Sequence, residues 1–476
     1  MSEKYKFWKF FEEISAIPHG SGNTDAASKY IVDFAKERGL KYRKDESGNV
    51  VVFKDASKNG NSDITVMLQS HLDMVTVSKD GKKDFLKEGI ELVLDGEYLR
   101  ANGTTLGADD GIGVAYTLAV LDDNDFDHPN IEGVFTTDEE IGMLGAAAMD
   151  MSDLRSNYML NIDSEDDGIF TAGCAGSTLC VIEKDIKSEP ADGYFYKITF
   201  SNLTGGHSGI EIIKNRGNAY RLLGRLMLMM NLKGVGVRFV SIDGGGKDNA
   251  IAKSCEAVIS SETAPREFER IFKEESDKII DAFKLSDPNM KIECVDEGFK
   301  ENEQVITGDD SNTITALLTE VPDGVVRMFA QEEPMTETSL NLGIVKADLN
   351  HIKMTICLRS NVEAQRDFLK EVVRNIVNRL GAEISFGAET EIWTYRPESS
   401  LRDLITRVYE EKSGKKAQIE VIHASVECGI FSKNIPGLDC VSFGPDIYDI
   451  HTYNEKIDIK SAEMYWEIIK EVLMKF

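Results

Sequence analysis

Apolar residues along the first third of the chain recur at two different spacings. Runs of β-branched and other apolar residues occur at 63–69, 131–137 and 157–162, and each is typical of a strand buried in a sheet. A run at 111–121 has the composition of a buried helix and lies between the first two of these strands. This alternation of strand, turn and helix predicts an open α/β sheet.

The pattern changes after about residue 176. Two sets of strand-like and helical runs follow each other in the order strand–helix–strand–strand–helix–strand, which predicts two consecutive ferredoxin-like halves of α+β type. From about residue 391 the chain returns to helices and strands of the first kind. The most economical arrangement is one α/β domain with a mixed sheet, residues 1–176 and 391–476, interrupted by an inserted α+β domain, residues 177–390.

Composition excludes several classes of function. The 476 residues include 82 acidic and 54 basic side chains, so the formal net charge is −28. A surface this negative repels phosphate backbones and anionic membranes, and we expect neither nucleic acid nor a membrane as a partner. No run of 18 or more apolar residues occurs, so the sequence predicts no spanning helix.

The cysteines and the N-terminal residues bear on the cellular compartment. The seven cysteines are odd in number and scattered, without Cys-x-x-Cys spacing. The first twenty residues contain no uninterrupted apolar run of the kind that an export signal needs. We therefore expect reduced thiols and a cytoplasmic location.

Polar residues follow each of the three predicted strands. His71 and Asp73 follow the first strand, Glu139 and Glu140 follow the second, and Asp163 follows the third. Open α/β sheets place their functional sites at the carboxyl ends of strands, so these side chains are candidates for one site. Taken singly, each group is equally compatible with a solvated strand end or an acidic helix start.

Two further segments add ligand-type residues. Asp109 and Asp110 lie in the glycine-flanked turn LGADDGIG, His207 lies in TGGHSG, and His451 lies in the last segment. Two histidines with three or four carboxylates make a nitrogen and oxygen ligand set that suits Zn²⁺ or Mn²⁺. One shared carboxylate can hold two such ions about 3.5–4 Å apart. Structural roles, a helix cap for the aspartates and a core position for a histidine, remain the alternatives.

Taken together and in order, these motifs resemble a known enzyme family. The segments SHLDMV, GTTLGADDGIGVA, TTDEEIGMLGA, NIDSEDDG, TGGHSG and GPDIYDIHTYNEKIDI are similar to those of the aminoacylase-type zinc peptidases, and most of all to the carnosinase-like aminoacyl-histidine (Xaa-His) dipeptidases. IPHGSG, GCAG, DNAIA and IHASVECGIF extend the resemblance over nearly the whole chain. It implies a zinc-exopeptidase-like catalytic domain with an inserted lid domain.

The resemblance implies a site for two divalent metal ions, zinc in the first place and manganese or cobalt as alternatives. His71 and Asp163 would complete one metal site, and Glu140 and His451 the other. Asp109 would bridge both ions, and in the family a cis peptide commonly follows this aspartate.

The resemblance also implies catalytic roles around the metals. Asp73 would orient His71, and Glu139 would be the general base that acts on metal-activated water. His207 would be the lid histidine that donates a hydrogen bond to the developing oxyanion.

Three residues are implied in substrate binding. Arg359 and Asn249 resemble the lid groups that hold the terminal carboxylate and the carbonyl of the substrate. Glu427 either holds the free amine of the substrate or has a structural role, and the sequence leaves both open.

The implied activity is hydrolysis of short unblocked peptides in the cytoplasm, in particular dipeptides of Xaa-His type including β-alanyl-histidine. An aminotripeptidase, an N-acyl amino acid amidohydrolase and a non-catalytic peptide-binding relative are the alternatives. Retention of Glu139 with every ligand argues against the last one. Relatives with a single lid unit often dimerise through it and supply the lid histidine from the partner chain, whereas a doubled lid can supply His207 within one chain. The sequence leaves a homodimer through the lid domain and a monomer both open.

Overall fold

The computed structural model describes residues 4–244, 246–330 and 335–476. The chain separates into two compact units. The first unit comprises Met1–Cys174, Trp393–Val421 and Val426–Phe476, and the second comprises Ala175–Ile392 and Ile422–Ser425.

The first unit begins with two helices and five strands, after which helices and strands alternate up to β7. Its elements before the second unit are α1 Phe7–Ser15, α2 Asp25–Glu37, β1 Lys41–Lys44, β2 Val50–Lys54, β3 Thr65–His71, β4 Leu92–Asp95, β5 Tyr98–Ala101, α3 Ala108–Asp122, β6 Asn130–Thr136, α4 Leu144–Ala148, β7 Tyr158–Asn161 and β8 Ile169–Cys174.

The second unit contains longer strands and four amphipathic helices within the described residues. Its elements are β9 Gly176–Asp185, β10 Ser188–Ser201, β11 Gly206–His207, α5 Ala219–Leu232, β12 Val237–Gly244, β13 Ala250–Ile251, β14 Cys255–Ser261, α6 Pro265–Phe283, β15 Lys291–Ile306, α7 Gly308–Glu320, β16 Gly324–Met328, β17 Thr336–Ala347, β18 His351–Ser360, α8 Glu363–Arg379 and β19 Glu383–Glu389, with a 3₁₀ turn at Ile212–Lys214.

The chain then completes the first unit. The remaining elements are α9 Ser400–Ser413, β20 Gln418–Ile422, α10 Cys428–Asn434, β21 Asp439–Ser442, β22 Ile447–Tyr448, β23 Lys456–Asp458 and α11 Ile459–Met474.

Eight described strands of the first unit form a mixed sheet, as the sequence predicts, with strand order β1-β2-β6-β3-β7-β21-β8-β20. The other four pair antiparallel in a separate sheet of order β22-β23-β5-β4. Strand β3 runs parallel to β6 and β7, and β21 runs parallel to β7, while β1, β2 and β8 make antiparallel pairs. Because β3, β6 and β7 are parallel neighbours, the residues that follow them emerge at the same edge of the sheet.

Helix α3 carries the segment around Asp109 into the core of the first unit. Its residues are buried on every side from Asp110 to Leu121, which is typical of a helix enclosed by other elements. Phe7 of α1 packs on Tyr116 with ring centroids 4.8 Å apart, and the Tyr116 hydroxyl donates a 2.6 Å hydrogen bond to the Ala462 carbonyl in α11. Helices α1 and α11 therefore hold α3 in a fixed position against the sheet.

The second unit has two ferredoxin-like halves, but they are nested and not consecutive. One half is β10-α5-β12-β14-α6-β15, with strand order β15-β10-β14-β12. The other half uses β9, α7, β17, β18, α8 and β19, with strand order β17-β18-β9-β19. The first half is thus inserted after β9, the opening strand of the second half.

The expectation of consecutive halves is therefore wrong. If the halves were consecutive, β16 would be the opening strand of the second half. Among the described strands it pairs only with β17, at a position outside the linear strand order of the sheet. The inner position belongs to β9, which pairs antiparallel with β18 and β19. Residue alternation identifies a strand but carries no information about its partner, so the nesting has no signature in the sequence.

Two further observations concern the expectations from composition. All seven cysteines are free, and six of them are buried. No helix in the described ranges combines the length and the apolarity that crossing a membrane requires.

Candidate metal centre

The carboxyl edge of the sheet in the first unit gathers three groups of ligand-type side chains. Strand β3 ends at His71, and β6 ends three residues before Glu139. Strand β7 ends two residues before Asp163. The parallel register of β3 with both neighbours places these strand ends side by side.

His71 faces two carboxylates with one ring nitrogen. Its Nε2 atom lies 3.1 Å from Asp109 Oδ1 and 3.4 Å from Asp163 Oδ1. Its Nδ1 atom donates a 2.9 Å hydrogen bond to the backbone carbonyl of Asp73, which leaves Nε2 directed at the carboxylates. Burial opposes protonation, but Asp163 and Asp109 together raise the pKa of His71 well above its ordinary value.

His451 completes a second group on the other side of Asp109. Its Nε2 atom lies 2.9 Å from Glu140 Oε1 and 3.1 Å from Asp109 Oδ2. Hydrogen bonds to these two carboxylates raise the pKa of His451 to about 10. The two oxygens of Asp109 therefore face two different imidazoles, and the hydrogen bonds from both hold the pKa of Asp109 below its usual range in spite of burial.

Asp110, which the sequence offered as a ligand-type residue without assigning it to either metal site, lies beside these groups. The peptide bond between Asp109 and Asp110 is cis, as the resemblance implied. Asp110 Oδ2 accepts a hydrogen bond from the His71 backbone N–H, and Oδ1 accepts one from the Gly113 N–H, both at 3.1 Å. One Asp110 oxygen also lies within 4.8 Å of ligand atoms of His71 and Asp163. Asp110 is therefore a further carboxylate at the centre, engaged by backbone donors.

Asp73 connects the ends of two strands. Its carboxylate accepts hydrogen bonds from the Ser21 hydroxyl at 2.8 Å and from the backbone N–H groups of Glu139 and Glu140 at 2.9 and 3.3 Å. Its Oδ1 atom is 3.5 Å from His71 Nδ1, so the closer partner of that nitrogen is the Asp73 carbonyl. The side chain of Asp73 thus holds the Glu139–Glu140 backbone, a contact that the sequence did not predict.

Glu139 and Glu427 are buried acids beside these ligands. Burial, with the charges of Asp163, Glu427 and Glu140, raises the pKa of Glu139 well above its ordinary value although His71 opposes this. The Glu427 carboxylate accepts hydrogen bonds from Gln69 Nε2 at 2.5 Å and Thr136 Oγ1 at 2.8 Å, and burial raises its pKa to about 7. Its Oε1 atom has no hydrogen-bond partner among the described residues.

The donor set fits divalent cations. Among the described residues, no lysine or arginine forms an ion pair with the carboxylates of this centre, and the histidines are their only cationic partners within 4.0 Å. Buried carboxylates without compensating charge are costly, and imidazole with carboxylate oxygens is a ligand set that Zn²⁺ and Mn²⁺ prefer. His71, Asp109 and Glu140 offer one group of converging ligand atoms, and His71, Asp110 and Asp163 offer another.

The lid-type residues predicted from the sequence belong to the second unit. His207 and Asn249 lie close together there, because β11 pairs with β13 and the Ser208 N–H donates to the Asn249 carbonyl at 2.9 Å. His207 Nδ1 accepts two backbone N–H groups, from Gly209 at 3.1 Å and Ile210 at 3.2 Å. The ring proton of neutral His207 therefore sits on Nε2.

Arg359 has an unusual environment in the second unit. It is 7% exposed, its Nε atom has no hydrogen-bond partner, and no carboxylate of the described residues forms an ion pair with it. A buried guanidinium of this kind is an incomplete anion site.

Burial and the Arg359 charge lower the pKa of His207 below its ordinary value, so His207 is a neutral donor near pH 7.

A hydrogen-bonded chain in the second unit was not predicted from the sequence. Ser339 Oγ lies 2.8 Å from His423 Nε2, and His423 Nδ1 lies 3.0 Å from Asn361 Oδ1. The Asn361 amide nitrogen donates to the Ile422 carbonyl, which leaves its oxygen to accept the Nδ1 proton of His423. Burial, with the charges of Arg359 and His207, lowers the pKa of His423 to about 3. The only sequence signal for His423 was its place in the motif IHASVECGIF. Its partners Ser339 and Asn361 are too distant in sequence for a local spacing to reveal the contact.

The predicted site residues therefore fall into two groups. The structure brings eight of them together in the first unit: His71, Asp73, Asp109, Glu139, Glu140, Asp163, Glu427 and His451. The other three lie in the second unit: His207, Asn249 and Arg359.

Comparison with known proteins identifies relatives over nearly the whole chain. The model of Peptidase family M20/M25/M40 matches residues 67–475. The cytosol non-specific dipeptidase of Escherichia coli (strain K12) is 32% identical over 477 residues, which cover 98% of this chain and 96% of that protein. The aminoacylhistidine dipeptidase of Vibrio alginolyticus has the same fold with a TM-score of 0.90 and 33% identity, covering 99% of this chain and 96% of that one.

A more distant structure shares the architecture alone. The M20 family metallo-carboxypeptidase Sso-CP2 from Sulfolobus solfataricus aligns with a TM-score of 0.54 and 15% identity, covering 100% of this chain and 99% of that one. The predicted fold class is confirmed by these matches.

The position of Asp109 between two imidazoles leads to a prediction about metal stoichiometry. Asp109→Asn should weaken the binding of both metal ions, because each of its oxygens faces one group of ligands. Asp163→Asn should weaken the binding of one ion and leave the affinity for the other near its wild-type value. The loss of metal affinity should exceed the roughly 10- to 100-fold loss that follows removal of a residue that only holds a ligand in place. Isothermal titration calorimetry with Zn²⁺ measures the affinities of both variants for the two ions. If Asp109→Asn and Asp163→Asn had equal effects, Asp109 would not be shared between the two ions.

Proposed function

We propose a dipeptidase function for this chain, which belongs to the peptidase family M20/M25/M40 that its sequence motifs resemble. It is a metallopeptidase that acts on peptide bonds. The proposed substrates are short unblocked peptides, in particular Xaa-His dipeptides including β-alanyl-histidine. The Escherichia coli relative is a cytosol non-specific dipeptidase and the Vibrio alginolyticus relative is an aminoacylhistidine dipeptidase, which supports this substrate class. The observation that carries the proposal is the pair of ligand groups joined by Asp109.

The proposed cofactor is a pair of divalent metal ions, zinc in the first place and manganese or cobalt as alternatives. His71 and Asp163 would hold one ion, Glu140 and His451 the other, and Asp109 both, as the converging atoms suggest. When bound, such ions polarise the scissile carbonyl and lower the pKa of water.

Glu139 is the proposed general base. Its backbone N–H is held by the Asp73 carboxylate, which keeps the residue at the ligand cluster. Burial keeps its pKa above that of an ordinary glutamate, so the carboxylate can take a proton from the attacking water and return it to the leaving amine.

The residues of the second unit are proposed to bind substrate. The Nε2–H of neutral His207 is suited to donate to the oxygen that becomes negative in the transition state. Arg359 lacks a carboxylate partner within the described ranges and is suited to grip the terminal carboxylate of a peptide. Asn249 would contact the substrate carbonyl, and the free Oε1 of Glu427, in the first unit, would accept from the substrate amine.

Location and assembly belong to the proposal as well. The Escherichia coli relative is a cytosol dipeptidase, which supports a cytoplasmic location. We propose a homodimer through the inserted segment, on the resemblance to lid-dimerising relatives. Light scattering on purified protein tests it: the mass of two chains is expected, and the mass of one chain would leave His207 to act within its own chain.

A substrate panel on metal-reconstituted protein tests the activity. Unblocked dipeptides should be cleaved to free amino acids, with Xaa-His peptides among the best substrates. Exhaustive chelation should abolish turnover, and zinc, manganese or cobalt should restore it, because the ligand groups need cations to act on water. N-acetylated dipeptides are the control and should resist cleavage. A preference for tripeptides or N-acyl amino acids would replace the proposal by one of its alternatives.

Replacement of the proposed base gives a second test. Glu139→Gln keeps the shape of the side chain but cannot accept a proton, so kcat should fall about 10²- to 10⁴-fold. Metal content should remain two ions per chain, because Glu139 is not a proposed ligand. The control is Glu132→Gln, since Glu132 is a buried acid in β6 that accepts hydrogen bonds from the Arg155 N–H and the Ser156 hydroxyl. Wild-type kcat in Glu139→Gln would disprove the assignment.

The role of Arg359 is testable by changing either the protein or the substrate. Arg359→Met should raise KM for dipeptides roughly 100-fold, which corresponds to loss of a charge-assisted hydrogen bond of about 3 kcal/mol. Dipeptide amides lack the terminal carboxylate, and the variant should lose little with them relative to wild type. An equal loss on acids and amides would show that Arg359 does not recognise the carboxylate.

A further inference from the structure

Glu455 is a buried acid of the first unit with an unusual set of partners. It is 2% exposed, and its carboxylate accepts hydrogen bonds from three successive backbone N–H groups. Oε2 accepts from Leu106 at 2.8 Å and from Gly107 at 3.2 Å, and Oε1 accepts from Ala108 at 2.8 Å. Successive N–H groups that converge in this way form an anion-binding nest.

These donors lie in the turn that leads into α3. Only the Ala108 N–H belongs to α3, since Leu106 and Gly107 precede it and the backbone angles of Asp109 and Asp110 are not helical. The regular part of the helix is capped locally by Asp110, whose Oδ1 accepts from the Gly113 N–H. The Glu455 carboxylate instead binds the turn that leads into α3, from a distance of 347 residues in sequence. A remote carboxylate does more than satisfy donors, because it also connects two segments.

The two connected segments each carry a proposed metal ligand. Ala108 directly precedes Asp109, and Glu455 follows His451 by four residues. The Glu455 carboxylate therefore bridges the backbone that presents Asp109 and the turn that presents His451. The two ligand atoms that these segments present, Asp109 Oδ2 and His451 Nε2, are 3.1 Å apart.

His451 lies in an exposed turn. Its side chain is 45% exposed and its φ is +61°, at a turn with hydrogen bonds of its own. Glu455 itself is placed by β23, which begins at the next residue and pairs antiparallel with β5. The turn is thus joined to β5 through β23 on one side and to the backbone before Asp109 through the Glu455 carboxylate on the other.

The start of α3 is confined from the opposite side as well. Gly107 has φ of +70°, and a Cβ atom built there would lie 2.8 Å from Met74 Sδ. A side chain at Gly107 would therefore strain the backbone and press on Met74. The turn that precedes Asp109 thus packs against Met74 and is bound by Glu455.

We propose that Glu455 is a positioning residue of the metal centre: it sets the geometry between Asp109 and His451 and thereby the affinity for the metal ions. It contacts neither substrate nor reacting atoms. The inference rests on the metal site of the proposed function.

Metal titration on the full chain tests the proposal. Glu455→Gln keeps the size of the side chain but replaces one acceptor oxygen by a donor that faces a backbone N–H. We expect the affinity for Zn²⁺ and for Mn²⁺, measured by calorimetry on metal-free protein, to fall about 10- to 100-fold. The matched control is Glu132→Gln, a buried acid that also accepts a backbone N–H but serves neither ligand segment. It should lower the thermal midpoint and leave metal affinity unchanged.

Each outcome decides the question. Wild-type metal affinity in Glu455→Gln, or an equal loss in Glu132→Gln, would overturn the proposal. If Glu455→Gln fails to fold and excess metal does not restore folding, the role is purely structural and the proposal is also wrong. A second variant, Gly107→Ala, changes the backbone that Glu455 binds and leaves Glu455 itself unchanged. It should displace the start of α3 and weaken metal binding to a similar extent.

The same titration separates this inference from the proposed function. A wild-type protein that binds two ions and cleaves no peptide would refute the dipeptidase activity and leave the role of Glu455 to be judged by affinity. A wild-type protein that cleaves dipeptides, with unchanged metal affinity in Glu455→Gln, would refute the positioning role alone.

Discussion

The sharing of one carboxylate between two imidazoles is the constraint on which the first unit depends. Asp109 directs one oxygen to His71 and the other to His451, and Asp163 and Glu140 complete the two groups. So many buried acids without lysine or arginine partners in the described chain would repel each other unless cations lie between them. The donor atoms are of the kind that divalent ions of the zinc and manganese type bind. Metal binding is thus the interaction that offsets the repulsion between these buried carboxylates.

The scaffold serves this constraint by bringing distant segments to one edge. Parallel pairing of β3 with β6 and β7 aligns three strand ends, and the enclosed helix α3 presents Asp109 to them. The Asp73 carboxylate then secures the Glu139–Glu140 backbone, and Glu455 secures the start of α3. Side chains that touch no ligand atom therefore decide where the ligands stand, which is a general property of metal sites.

Much of the fold was predictable from residue patterns. The strands before His71, Glu139 and Asp163 and the helix after Asp109 are local features, and burial on a sheet or in a helix leaves a local periodicity. Pairing between strands leaves none. The opening strand β9 of the second unit pairs with β18 and β19, far away in sequence, and the halves were therefore expected to be consecutive although they are nested.

The sequence by itself determined the ligand types, their order and the family resemblance, because the chemistry of a metal site restricts which residues can stand at its strand ends. Only the tertiary structure decided which atoms meet: that both oxygens of Asp109 are used, that Arg359 is buried without a carboxylate partner in the described residues, and that Glu455 reaches the N–H groups before Asp109. Such contacts join residues that are tens to hundreds of positions apart. Their geometry follows from the packing of whole elements, and no local spacing in a sequence encodes it.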